Sequence, residues 1–263
     1  MRVIRTDKWL LDAYDQPLEL CEKLKNLFDE DVSAGEIHQH LIMHGMYREP
    51  LKNGDELIKE LQKRRIWQIV QQEAKELQKE WNGPVIPIFI LPADTNNRKL
   101  RHEQNGKSGL SFPDKLFLFV SEMNTEKEIR ALLTHEYNHI CRLSKYSKKE
   151  AEYTLLDTVI LEGLAENAVR ERFGDQYTAQ WTAYYSNTQL ERICMNLILP
   201  NRNTPKSGRK HAQLLYGFGF FPKMAGYCAG YHLVKNYMSK ENVPSQDLLG
   251  VKSEQIIEKT DEG

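Results

Sequence analysis

Cysteine is scarce in this chain, with four in 263 residues, and Cys21, Cys141, Cys194 and Cys228 are scattered without a Cys-x-x-Cys pair. That spacing gives no sign of a thiolate zinc site or a dithiol redox motif, and the four read as free thiols. Neither sign of charge is in excess: 36 Lys and Arg stand against 37 Asp and Glu. No broad field is therefore available to gather nucleic acid or an anionic membrane surface. Long apolar runs are missing as well. The opening stretch, MRVIRTDKWLLDAYDQPLEL, acquires charges before any run long enough for a signal peptide, and no later segment approaches the length of a membrane span. Internal repeats and low-complexity tracts are also lacking. The expectation is a cytoplasmic protein with no membrane span and no nucleic-acid partner; nothing in the pattern fixes its oligomeric state.

What is present changes character along the chain. Residues 1–82 read as a helical segment, with amphipathic pieces near 16–28 and 34–44 and a longer one near 54–80, where Leu57, Leu61, Ile66, Ile69, Val70, Ala74 and Leu77 recur at helical spacing. WNGP at 81–84 breaks this pattern. VIPIFIL (85–91) and KLFLFVS (115–121) are short β-rich runs, with GLSF (109–112) a candidate third strand. Thr125 followed by Glu128 makes a capping box for a helix reaching about Arg142. Further helices are expected near 152–172, stopping at Gly174, then at 177–198 and 223–239, and Ser245 is a candidate cap for a short terminal one. The fold class expected is α+β and mainly α: a small sheet ahead of a helical core, divided as 1–82 and 83–263.

The chemistry lies in THEYNHICR, which places His135-Glu136-x-x-His139 in the middle of a helix. Side chains four apart project from one face, so two imidazoles can grip one ion while Glu136 sits within reach of a metal-activated water. A catalytic zinc takes three protein ligands as a rule, so a third must come from elsewhere. LEGLAEN on the next helix supplies Glu162 as that ligand. Glu166, one turn on, is a candidate acceptor for a ligand-histidine N–H. Asp157, nearer the connector, competes less well, and Gly163 would let two helices approach closely. His38, His40 and His44 include another i, i+4 pair, but no Glu follows the first and no third ligand is obvious.

The HExxH motif followed by an E-x-x-x-[DE] helix resembles the gluzincin metallopeptidases. More closely, LLTHEYNHICR, TLLDTVILEGLAE and GYCAGYHLVKNY are similar to the YjaZ-like predicted zinc-dependent proteases of bacilli, over about residues 85–260. The resemblance implies a zinc-dependent peptidase acting on a peptide or protein, with Glu136 as general base. It also implies an oxyanion donor on a downstream helix, where Tyr227 and Tyr231 stand four apart and His232 is an outside choice. Gluzincins add an extended substrate to a sheet edge, a role that SGLSF (108–112) would fill. The alternatives are a metal-binding regulatory or chaperone-like protein, and a zinc hydrolase of a non-peptide amide.

Overall fold

A computed structural model describes residues 2–50 and 53–258, so the last five residues of the expected second domain lie outside it. The chain divides into two compact units, Met1–Glu136 and Tyr137–Gly263.

The first unit opens with strand β1 (Arg2–Val3), followed by helices α1 (Thr6–Ala13), α2 (Pro17–Glu22), α3 (Ala34–Met43), α4 (Gly54–Lys63) and α5 (Ile66–Trp81). The chain then forms β2 (Pro87–Pro92), α6 (Arg98–Glu103), β3 (Ser108–Ser111) and β4 (Leu116–Val120). Ser33 and Glu36 close a reciprocal capping box at the start of α3. The sheet order is β1-β2-β4-β3. Pairing is parallel between β1 and β2 and between β2 and β4, and antiparallel between β3 and β4. The apolar runs of β2 and β4 are buried along nearly their whole length, as strands covered on both faces must be. β3 is left at the edge, with Ser108 opposite Phe119 and Ser111 opposite Leu116.

Helix α7 (Glu126–Lys145) begins in the first unit and ends in the second. Its start is set as the sequence implies: Glu128 N–H donates to Thr125 Oγ1 at 3.3 Å and Thr125 N–H to Glu128 Oε2 at 2.7 Å. Near its end the buried Arg142 guanidinium donates to the Leu248 and Leu249 carbonyls at 3.1 Å and to Ser253 Oγ at 3.2 Å. Those bonds anchor the 248–253 segment to the helix. Burial pulls the Arg142 pKa down to about 10.

The second unit continues with α8 (Leu155–Phe173), α9 (Asn187–Ile193), α10 (Arg209–Tyr216), α11 (Ala225–Glu241) and α12 (Ser253–Glu258). Thr154 and Asp157 cap α8, and Gly174 ends it at φ 93°. The core is formed mainly by Val159, Ile160 and Leu164 of α8 with Ala229, Leu233 and Val234 of α11. Two glycines set how closely these helices approach. A Cβ on Gly163 would stand 2.2 Å from the Gly230 carbonyl oxygen, and one on Gly230 would stand 2.0 Å from that of Val159. Asn167 Nδ2 crosses the same seam, donating to the Gly163 carbonyl at 2.8 Å and to that of Tyr231 at 3.0 Å.

The molecule is therefore α+β and mainly helical, as the sequence pattern implies. The single helix expected over 177–198 is instead broken into pieces. Ser186 caps a new start with Gln189, and the chain passes through a π turn at Cys194–Ile198 into a 3-10 turn that contains Pro200. Proline cannot donate a backbone hydrogen bond, and this helps to stop α-helix there. Among the described residues no helix is long and apolar enough to cross a membrane.

Candidate metal centre

His135 and His139 ride on α7 as one uninterrupted helix, one turn apart, so helical geometry alone puts both imidazoles on the same face. Glu162 comes from α8. One ligand atom from each of His135, His139 and Glu162 lies within 4.8 Å of the other two, and His139 Nε2 stands 3.6 Å from Glu162 Oε2. Zinc bonds to nitrogen and oxygen near 2.0–2.2 Å put tetrahedral ligand atoms roughly 3.3–3.5 Å apart, close to that separation. Two neutral imidazoles and one carboxylate also suit zinc chemically and leave a coordination position over. This is the one such group of three among the described residues.

Asp157, Glu166 and the His38, His40 and His44 group, also singled out by the sequence, have partners of their own. Asp157 caps α8 and accepts Lys148 Nζ at 2.9 Å and Ser253 Oγ at 2.9 Å. One carboxylate oxygen of Glu166 accepts the backbone N–H of Ala179. The rings of His40 and His44 lie 4.7 Å apart, but among the described residues no third ligand joins them in a group, and His38 is buried against the Tyr47 backbone.

The two tyrosines are separated by their partners. The hydroxyl of Tyr227 is hydrogen-bonded with Glu162 and with Tyr216; burial first, then the Glu162 carboxylate, holds its pKa well above the ordinary phenol value. Tyr231 is buried and donates to Asp175 Oδ1 at 3.4 Å, its pKa pushed up to about 12 chiefly by burial. His232 Nε2 pairs with Asn236 Nδ2 at 3.0 Å, and burial lowers its pKa.

Glu136 turns toward the edge strand. Ser111 Oγ lies within hydrogen-bond reach of Glu136 Oε2 and is 3.0 Å from the Glu136 carbonyl oxygen. A Cβ on Gly109 would be 2.3 Å from Glu136 Cγ. Reasoning from sequence singled out the strand but neither residue. The signal that could have found them is the period of two, which puts Gly109 and Ser111 on one face.

An HExxH helix bearing two imidazoles, met by a carboxylate from the following helix in a mainly helical α+β fold, forms a group of the HExxH class that could hold a metal ion. The chain belongs to the family described as "Predicted Zn-dependent protease (DUF2268)", whose profile matches residues 66–258. It is 42% identical over 219 residues to "Uncharacterized protein YjaZ" of Bacillus subtilis strain 168, covering 83% of this chain and 84% of that protein. A more distant relative, "Uncharacterized protein YjfC" of the same strain, is 23% identical over 188 residues, 67% of this chain and 61% of the relative. No solved structure matches.

Proposed function

We propose that the protein is a zinc-dependent peptidase of gluzincin type, with His135, His139 and Glu162 as the metal ligands and Glu136 as the general base. The observation that carries this reading is the convergence of two imidazoles and one carboxylate within 4.8 Å, with Glu136 next in sequence to the first imidazole. A zinc ion held there would acidify water and polarise a peptide carbonyl. Glu136 takes the proton from the attacking water and passes it to the leaving amine. Tyr227 donates to the oxyanion as it develops, a role supported by its hydroxyl already lying at Glu162. Tyr231 is the second choice, since its hydroxyl is engaged with Asp175. Glu166 is retained as the acceptor for a ligand-histidine N–H.

An extended peptide adds to the free edge of β3, whose outer backbone groups suit strand addition. All the proposed site residues fall within 83–263, the metallopeptidase domain of this reading, with 1–82 as a mainly helical N-terminal segment packed on or beside it. All four cysteines are buried free thiols, which suits a reducing, cytoplasmic setting.

The test is zinc analysis of the purified protein together with cleavage profiling on an unbiased peptide library. Stoichiometric zinc, and cleavage abolished by chelation and by Glu136→Gln, are expected. Retained zinc without cleavage of any peptide would move the assignment to a metal-binding regulatory or chaperone-like protein. Hydrolysis confined to non-peptide amides would make it an amidohydrolase.

A further inference from the structure

We propose that Ser111, on the edge strand, is a positioning residue that fixes the Glu136 carboxylate for proton transfer; this rests on the peptidase reading above. The argument starts from how firmly β3 is held. Its four residues pair with β4, and on the face away from Glu136 the Ser108 hydroxyl donates to the His44 carbonyl at 2.6 Å. The opposite face presents Gly109 and Ser111 to Glu136. An added Cβ at Gly109 would lie 2.3 Å from Cγ, 2.5 Å from Cδ and 2.6 Å from Oε1, so the carboxylate stem lies flat on the bare glycine backbone. Ser111 Oγ meets the other oxygen, Oε2. The hydroxyl has one proton to give and two acceptors in reach, the carboxylate and the Glu136 carbonyl, and the charged one is the stronger.

A glutamate side chain has three rotatable bonds, and a general base is effective only when one oxygen is held where the proton leaves. The glycine floor removes rotamers on one side, and the serine hydroxyl engages Oε2. Oε1 is thereby left for the attacking water. Neither residue needs to touch substrate for this, which separates the proposal from strand addition at the same edge: strand addition uses backbone groups, whereas this contact is made by one side chain.

The experiment compares zinc-loaded, full-length wild type with Ser111→Ala and Ser111→Thr, measuring zinc stoichiometry, kcat and KM on one cleaved peptide, and crystal structures of the wild type and the alanine variant. Ser111→Ala is expected to keep its zinc and a KM within about twofold of wild type, and to lose about ten- to a hundredfold in kcat, the scale of one hydrogen bond to a charged group. Ser111→Thr, which keeps the hydroxyl, should recover most of that loss. In the crystals, Glu136 Oε2 should accept from Ser111 in the wild type and leave that position in the alanine variant. An unchanged kcat, an effect confined to KM, loss of zinc, or a Glu136 carboxylate that stays in place without the hydroxyl would each overturn the proposal. If the alanine variant fails to fold, Ser111→Cys, with its weaker donor, takes its place in the same comparison. Should the wild type cleave no peptide at all, the peptidase reading fails by itself, and Ser111 stands or falls on the two crystal structures.

Discussion

Glu136, Glu162 and Tyr227 are the residues at which the proposed chemistry can be taken apart. Glu136→Gln keeps the size of the side chain and leaves the three ligands intact, so zinc content should be unchanged while kcat falls roughly 10²–10⁴-fold, the range for loss of a general base. His139→Ala or Glu162→Ala should lose metal and activity together, read by zinc analysis and peptide cleavage. Tyr227→Phe removes a hydroxyl that is hydrogen-bonded with Glu162. It is expected to lower kcat about 10²-fold with KM little changed, as for other oxyanion donors. Tyr231→Phe should cost less, because its hydroxyl donates to Asp175. A larger loss in the Tyr231 variant would transfer the donor role to that residue.

The α8 and α11 pair is where one element decides the position of another, since α8 brings Glu162 and α11 brings Tyr227. Their approach depends on Gly163 and Gly230, where a Cβ would fall 2.2 Å and 2.0 Å from backbone carbonyl oxygens. Backbone cannot yield as a flexible side chain does, so Gly230→Ala should force the helices apart. The expected cost is about 1–3 kcal/mol, seen as a fall of several degrees in Tm, with weaker zinc binding because Glu162 moves with its helix. A variant with wild-type Tm and zinc affinity would show that the seam tolerates separation.

Acid and metal loss should act on the molecule as a whole. Asp157 is buried, which raises its pKa, but the hydrogen bonds from Lys148, Thr154 and Ser253 outweigh burial and leave it below the ordinary value of 3.8. A carboxyl depressed in the folded state stabilises the fold above its unfolded pKa, and that contribution is lost as pH falls through the lower folded value. For the metal-free protein, Tm should fall below about pH 4, and the gap between wild type and Asp157→Asn should close over the same range. Parallel Tm curves for the two would remove Asp157 from the acid limb. Zinc at a hundredfold its Kd should add about 2.7 kcal/mol of stability, so chelation should lower Tm as well as abolish cleavage.

The sequence by itself determined what depends on neighbours within a turn or two of chain. The i, i+4 imidazoles, the Thr125–Glu128 cap, the stop at Gly174 and the apolar runs of β2 and β4 are local signals, because helical period, capping and strand pattern all act over a few residues. Glu162 was legible too, as an acid beside a glycine on the next helix. Tertiary structure decided the rest. It paired Arg2–Val3 with β2, it divided 177–198 at the Ser186 cap, and it gave Tyr227 to Glu162 and Tyr231 to Asp175 though both tyrosines follow a glycine. It also laid Glu136 against Gly109 and Ser111, residues 27 and 25 positions away. Contacts of that kind depend on which faces long-range packing brings together, and no local period records them.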